Sequence, residues 1–118
     1  MSLHTPLTAQ TRHLIDAAAF AAMRSSAILV NTARGGIVDQ VALTAALHAG
    51  AIAAAAIDVT DPEPPSPGDP LLSAPNLLVL PHIGSATFAT RERMAHMAVD
   101  NLLAALAGEP MPHPAEQG

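Results

Sequence analysis

The chain predicts an α/β protein built on a parallel sheet, and three observations carry that prediction. Short apolar runs rich in Ala, Ile, Leu and Val alternate with helical stretches in the order strand, helix, strand, helix, strand, loop, strand, helix. The runs are continuously apolar and do not alternate with polar residues, as befits strands inside a parallel sheet. Each helical stretch has its own start and stop residues. At 118 residues the chain has room for one domain with a core of ordinary size. Half its residues are hydrophobic, yet only Phe20 and Phe88 are aromatic, so the core must be aliphatic.

The elements follow in order. Residues 2–4 read as the end of a strand that Pro6 stops. Asp16 is suited to cap a helix over about 17–23, because its carboxylate can accept from first-turn amides, and Ser25 and Ser26 break that helix. Ala27–Asn31 is an apolar, partly β-branched strand of the kind buried on both faces. Gly35 and Gly36 turn the chain, and Asp39 caps a second helix over about 40–48. Val41, Leu43, Ala46 and Leu47 approximate its apolar face, and Gly50 ends it. Residues 52–59 give the next strand. Pro62, Pro64, Pro65, Pro67 and Pro70 then set a stiff, extended loop. Leu77–Leu80 is another apolar strand, ended by Pro81. A long helix runs over about 87–107 between Thr87 and Gly108, with Met94, Met97, Ala98, Leu102 and Leu106 in its apolar stripe. The domain thus spans 1–108, and the proline-rich stretch 109–118 reads as a loose tail.

Composition excludes several functions. The net charge is −5, with no lysine and five scattered arginines, which argues against a nucleic-acid surface. Without cysteine there are no disulfides, thiol chemistry or Cys-based metal sites, in keeping with a reducing compartment. The start lacks a basic region followed by an apolar one, and the apolar runs fall short of the ~20 residues of a membrane helix. A cytoplasmic protein without membrane contact is expected. No spacing resembles a zinc or calcium site. The glycines never form G-x-G-x-x-G or a P-loop, so a pyrophosphate anchor is missing from the sequence.

Three ionisable residues stand directly after strands, where open α/β sheets present their chemistry. Arg34, in NTARGG, offers a planar fork that grips a carboxylate through two parallel hydrogen bonds. The plain alternative is a solvated loop arginine or a partner for Asp39. His82, in LPHIGSAT, is the side chain type whose charge changes near neutral pH, and suits an acid/base role. Its alternative is a loop histidine satisfied by backbone. Glu63, in DVTDPEP, would hold that imidazole if the fold brings the two together, and is otherwise a solvated carboxylate. Asp58 could orient an amide or a ribose, whereas Asp61 and Asp69 read as ordinary loop acids. The other histidines are weaker candidates: His13, His48 and His96 lie in or beside helices, His113 in the tail, and His4 at a strand end.

In that order and spacing, SLHTPLTAQTRHLI, AILVNTARGGIVDQVAL, AAAAIDVTDPEPPSPGDPLL and NLLVLPHIGSAT resemble the D-isomer-specific 2-hydroxyacid dehydrogenases. NLLAALAGEPMP looks most like their glyoxylate/hydroxypyruvate reductase branch. The resemblance implies the C-terminal part of a Rossmann-like NAD(P)-binding domain, with the first half of that domain and the substrate domain absent. It implies that Arg34 binds the substrate carboxylate and carbonyl, that His82 protonates the carbonyl oxygen, and that Glu63 pairs with His82. Asp58 matches the aspartate beside the nicotinamide carboxamide. Pro6, Thr32, Ala33 and Gly84 match positions lining NAD or NADP, and Ser85 lies near substrate. The substrates implied are small 2-keto acids and the products D-2-hydroxy acids. With the glycine-rich turn lacking, the isolated chain is expected to be inactive. The alternative is a non-catalytic remnant or binding module of the same family. Uncovered sheet and helix surface predicts a homo-oligomer.

Overall fold

The computed structural model describes residues 1–115. Four parallel strands, β1 (Ser2–Leu3), β2 (Ile28–Asn31), β3 (Ala54–Ile57) and β4 (Leu77–Val79), lie side by side in sequence order. Helices α1 (Ala17–Ala22) and α2 (Gln40–His48) connect the first three, and a short 3-10 turn at Pro70–Ser73 precedes β4. Helix α3 (Phe88–Ala107) follows the sheet. The chain divides into two compact units, Met1–Gly84 and a second from Ser85 onward.

The expected caps form. Asp16 accepts from the Ala19 amide at 2.9 Å, and Asp39 accepts from Val41 and Ala42, both at 3.0 Å. Asp39 is therefore a capping residue, and Arg34 has no bond to it. Gly50 adopts a φ of 65° just past α2, a left-handed conformation that costs glycine little. Asp69, read from the sequence as an ordinary loop acid, caps the 3-10 turn by accepting from Leu71 at 2.9 Å. That turn drives Leu71 fully into the core.

Burial is confined to one face of the sheet. Leu3, Leu29, Asn31, Ala55 and Ile57 are buried, but Ile28 and Leu78 are 52% and 55% exposed. The expectation that Ala27–Asn31 is buried on both faces is thus corrected. Parallel strands that step in one direction through right-handed crossovers place every crossover on the same side. Phe20 of α1 and Leu43, Ala46 and Leu47 of α2 cover that side. Val41 is 80% exposed and does not belong to the buried face of α2. It stands roughly 200° around the helix from Leu43, at about 100° per residue.

A link that the sequence does not announce ties Pro6–Ile15 to the sheet's flank. His13 donates to Gly36 O at 2.8 Å, Ile15 to Ile37 O at 3.1 Å, and Asp39 back to Ile15 O at 3.0 Å. Arg12 reaches Asp61 at 3.1 Å across this segment.

In the second unit, Thr87 caps α3 through the Thr90 amide and Gly108 closes it at a φ of 73°. None of the residues of α3 is buried. Within the expected tail, Asn101 brackets His113 by donating to its carbonyl at 2.6 Å and accepting from its amide at 2.8 Å. Residues 116–118 of that tail lie outside the described residues.

Candidate active site

The parallel strands all end at the same edge of the sheet, so the segments that follow them emerge as neighbours. Pro6 follows β1; Thr32, Ala33 and Arg34 follow β2; Asp58 and Glu63 follow β3; His82 and Gly84 follow β4. The sheet thus brings residues nearly eighty positions apart in sequence to one edge, where α/β sheets bind ligands.

His82 and Glu63 meet. The imidazole Nδ1 lies 2.6 Å from Glu63 Oε1, with the two side chains 47% and 38% exposed. An ionised carboxylate only accepts, so this contact places a proton on Nδ1 and leaves Nε2 for other chemistry. His82 has a φ of 55°, a left-handed conformation uncommon outside glycine that persists only when the surroundings impose it. Pro64, Pro65 and Pro81 join Asp58, Thr60 and Glu63 around a hollow of about 420 Å³.

Arg34 is exposed and donates through Nη1 to the Ala33 carbonyl at 2.7 Å. It shares a second hollow, of about 670 Å³, with His4, Thr5, Pro6, Leu7, Thr32 and Ala33. Four of the expected site residues, Pro6, Thr32, Ala33 and Arg34, therefore line one cavity. Asp58 and Glu63 line the other. Ser85 opens the second unit and is partly exposed.

Two residues shape these loops without having been singled out for it. Asn31 is only 1% exposed; it accepts from the Ala33 amide at 3.1 Å and donates to the Arg34 carbonyl at 2.9 Å. The local signal was there, since asparagine before a glycine-containing turn commonly bonds the backbone just ahead of it. Gly35 admits the Thr60–Asp61 backbone so closely that a Cβ would lie 2.1 Å from Thr60 C and O. The arginine loop and the loop leading to Glu63 are thereby packed against each other.

Asp58 is 3% exposed at the end of β3, and its carboxylate accepts from Ile83 N at 2.8 Å and Gly84 N at 2.7 Å. A third hollow, of about 610 Å³, lies elsewhere, around Arg12, Val38, Val41, Thr44 and Pro70. It contains none of the expected site residues. The carboxylates on its wall are engaged in helix caps or with Arg12.

Residues 1–84, the first compact unit, match the family described as D-isomer specific 2-hydroxyacid dehydrogenase, NAD binding domain. The chain is 57% identical over 104 residues to glyoxylate/hydroxypyruvate reductase B of Citrobacter koseri, covering 88% of this chain and 32% of that protein. Among solved structures, the TT0316 protein of Thermus thermophilus superposes with a TM-score of 0.90 at 54% identity, over 98% of this chain and 37% of that one. The NADPH-dependent glyoxylate/hydroxypyruvate reductase of Sinorhizobium meliloti, solved with NADP and malonate, gives 0.88 at 38% identity, over 97% and 35%. The chain spans about a third of the length of the curated relatives it matches.

Proposed function

The chain belongs to the D-isomer specific 2-hydroxyacid dehydrogenase family, and from that premise we propose that it forms the proton-donating part of an NAD(P)-dependent reductase. The substrates are small 2-keto acids, glyoxylate or hydroxypyruvate, and the products D-2-hydroxy acids. The observation that carries this reading is the His82–Glu63 contact at 2.6 Å, on the same sheet edge as Arg34.

Arg34 grips the substrate carboxylate through its guanidinium fork. The Nε2 proton of His82 passes to the carbonyl oxygen while Glu63 holds Nδ1 and balances the imidazolium charge. A bound reduced nicotinamide supplies the hydride to the carbonyl carbon. The hollow of Pro6, Thr32 and Ala33, partly apolar, suits the nicotinamide end of NAD or NADP. Asp58 offers remaining acceptor capacity to a carboxamide, and Gly84 leaves the backbone open to close approach. Ser85, next in sequence, is assigned a place beside substrate on its position in the His82–Ser85 segment alone. With no glycine-rich turn to seat pyrophosphate, the isolated chain turns over no substrate. We place the reaction in the cytoplasm.

The test is a chimera in which this chain replaces the matching third of the Citrobacter koseri reductase. Glyoxylate reduction, followed by loss of nicotinamide absorbance at about 340 nm, is expected to survive the exchange. His82→Ala is expected to lower it by on the order of 10²–10⁴-fold, the usual contribution of a positioned acid. Equal rates with histidine and alanine at this position would refute the proposal.

A second reading is a non-catalytic, self-associating module, favoured by the exposure of Phe88, Leu102, Leu103 and Leu106 on α3. Under either reading the isolated chain forms a homo-oligomer, because apolar surface of this kind is stabilised by pairing with another copy.

A further inference from the structure

We propose that Asp58 is a positioning residue for His82, acting through the backbone that follows the histidine. This rests on the reading of His82 as the proton donor, and adds how that donor is held.

Asp58 is one of only three buried polar side chains among the described residues, with Asn31 and Thr60. Its own amide donates to Asn31 O at 2.9 Å, so the Asp58 backbone is anchored to the end of β2. Both carboxylate oxygens are then used on consecutive amides across the sheet edge, Ile83 at 2.8 Å and Gly84 at 2.7 Å. Charge-assisted bonds of this length are among the stronger ones available to backbone. Two of them side by side fix the direction of the peptide planes as well as their position.

His82 needs that help. It sits between Pro81 and these two amides with a φ of 55°, a conformation that a histidine leaves unless its neighbours impose it. Leu80 N donates to Ile57 O at 2.8 Å and fixes the chain on the near side. The Asp58 clamp fixes it on the far side. Held at both ends, the imidazole meets Glu63 in a single orientation. Gly84 belongs to the device, because a Cβ there would lie 2.9 Å from Asp58 Oδ2.

The experiment is NMR on the full chain without cofactor. Long-range proton–nitrogen spectra read the tautomer of the His82 ring, and hydrogen exchange reads the Ile83 and Gly84 amides. In the unsubstituted chain the neutral ring is expected as the Nδ1–H tautomer, with both amides protected although they lie in a loop. In Asp58→Asn, where one amide faces an NH2 group, His82 is expected to lose its single tautomer while Ala55 and Ile57 in β3 keep their protection. Gly84→Ala, which keeps the carboxylate but forces the clamp apart, is expected to give the same ring signature. Fast exchange of both amides in the unsubstituted chain would overturn the proposal, whether or not the variants fold. So would an unchanged His82 tautomer in either folded variant. Because no turnover is measured, an inactive chimera and a failed clamp are separate results.

Discussion

At Gly35 a methyl group has nowhere to go. A Cβ would lie 2.1 Å from the Thr60 carbonyl group and 2.7 Å from the Asp61 nitrogen, all of it backbone that cannot rotate aside. Gly35→Ala is therefore expected to destabilise the chain by at least about 2 kcal/mol, read as a lower urea midpoint, and to separate the loops that carry Arg34 and Glu63. A midpoint within error of the parent would show that these loops move freely past each other. Arg34, Glu63 and His82 were candidates before any fold was known, because each stands after an apolar run next to glycine or proline. What was not legible is who holds them. Asp58 bonds the Ile83 and Gly84 amides, and which amides come within its reach depends on how neighbouring strands align. The Arg12–Asp61 pair has the same origin. It is largely exposed, so it contributes at most about 1 kcal/mol.

Among the elements, α2 shows how an apolar pattern and a buried face part company. Leu43 is fully buried and Val41 is 80% exposed, although both fit a loose apolar periodicity. Leu43→Ala is expected to cost about 2–5 kcal/mol through the cavity it leaves, whereas Val41→Ala should stay within about 0.5 kcal/mol. Urea unfolding of the two variants checks this, and comparable losses would mean that α2 is rotated from the orientation described. The strands teach a similar lesson. All-apolar runs suggested burial on both sides, but strand order 1-2-3-4 gathers the crossovers on one face and leaves Ile28 and Leu78 exposed on the other. Element boundaries were read to within a residue or two, since caps such as Asp16, Asp39 and Thr87 are local signals.

For the whole molecule, the exposed strand edges and the unburied α3 set the expected behaviour in solution. β1 and β4 are the edge strands of the sheet, and such edges pair readily with another chain. Sedimentation at micromolar concentration is expected to show a dimer or larger assembly. A compact monomer would remove the homo-oligomer from the proposal, without touching the assignment of His82. The isolated chain is also expected to leave NADH and NADPH unoxidised in the presence of glyoxylate. Measurable turnover would mean that pyrophosphate is bound without a glycine-rich turn.

The sequence by itself determined the class of fold, the order of its elements and the identity of the residues with chemistry to offer, because apolar runs, caps and turn residues act over a few positions. The tertiary structure alone decided that Glu63 and His82 stand 2.6 Å apart, that the sheet is covered on one face, and that Asp58 spends its carboxylate on the Ile83 and Gly84 amides. Those are contacts between segments about twenty or more positions apart, and only the register of parallel strands sets them.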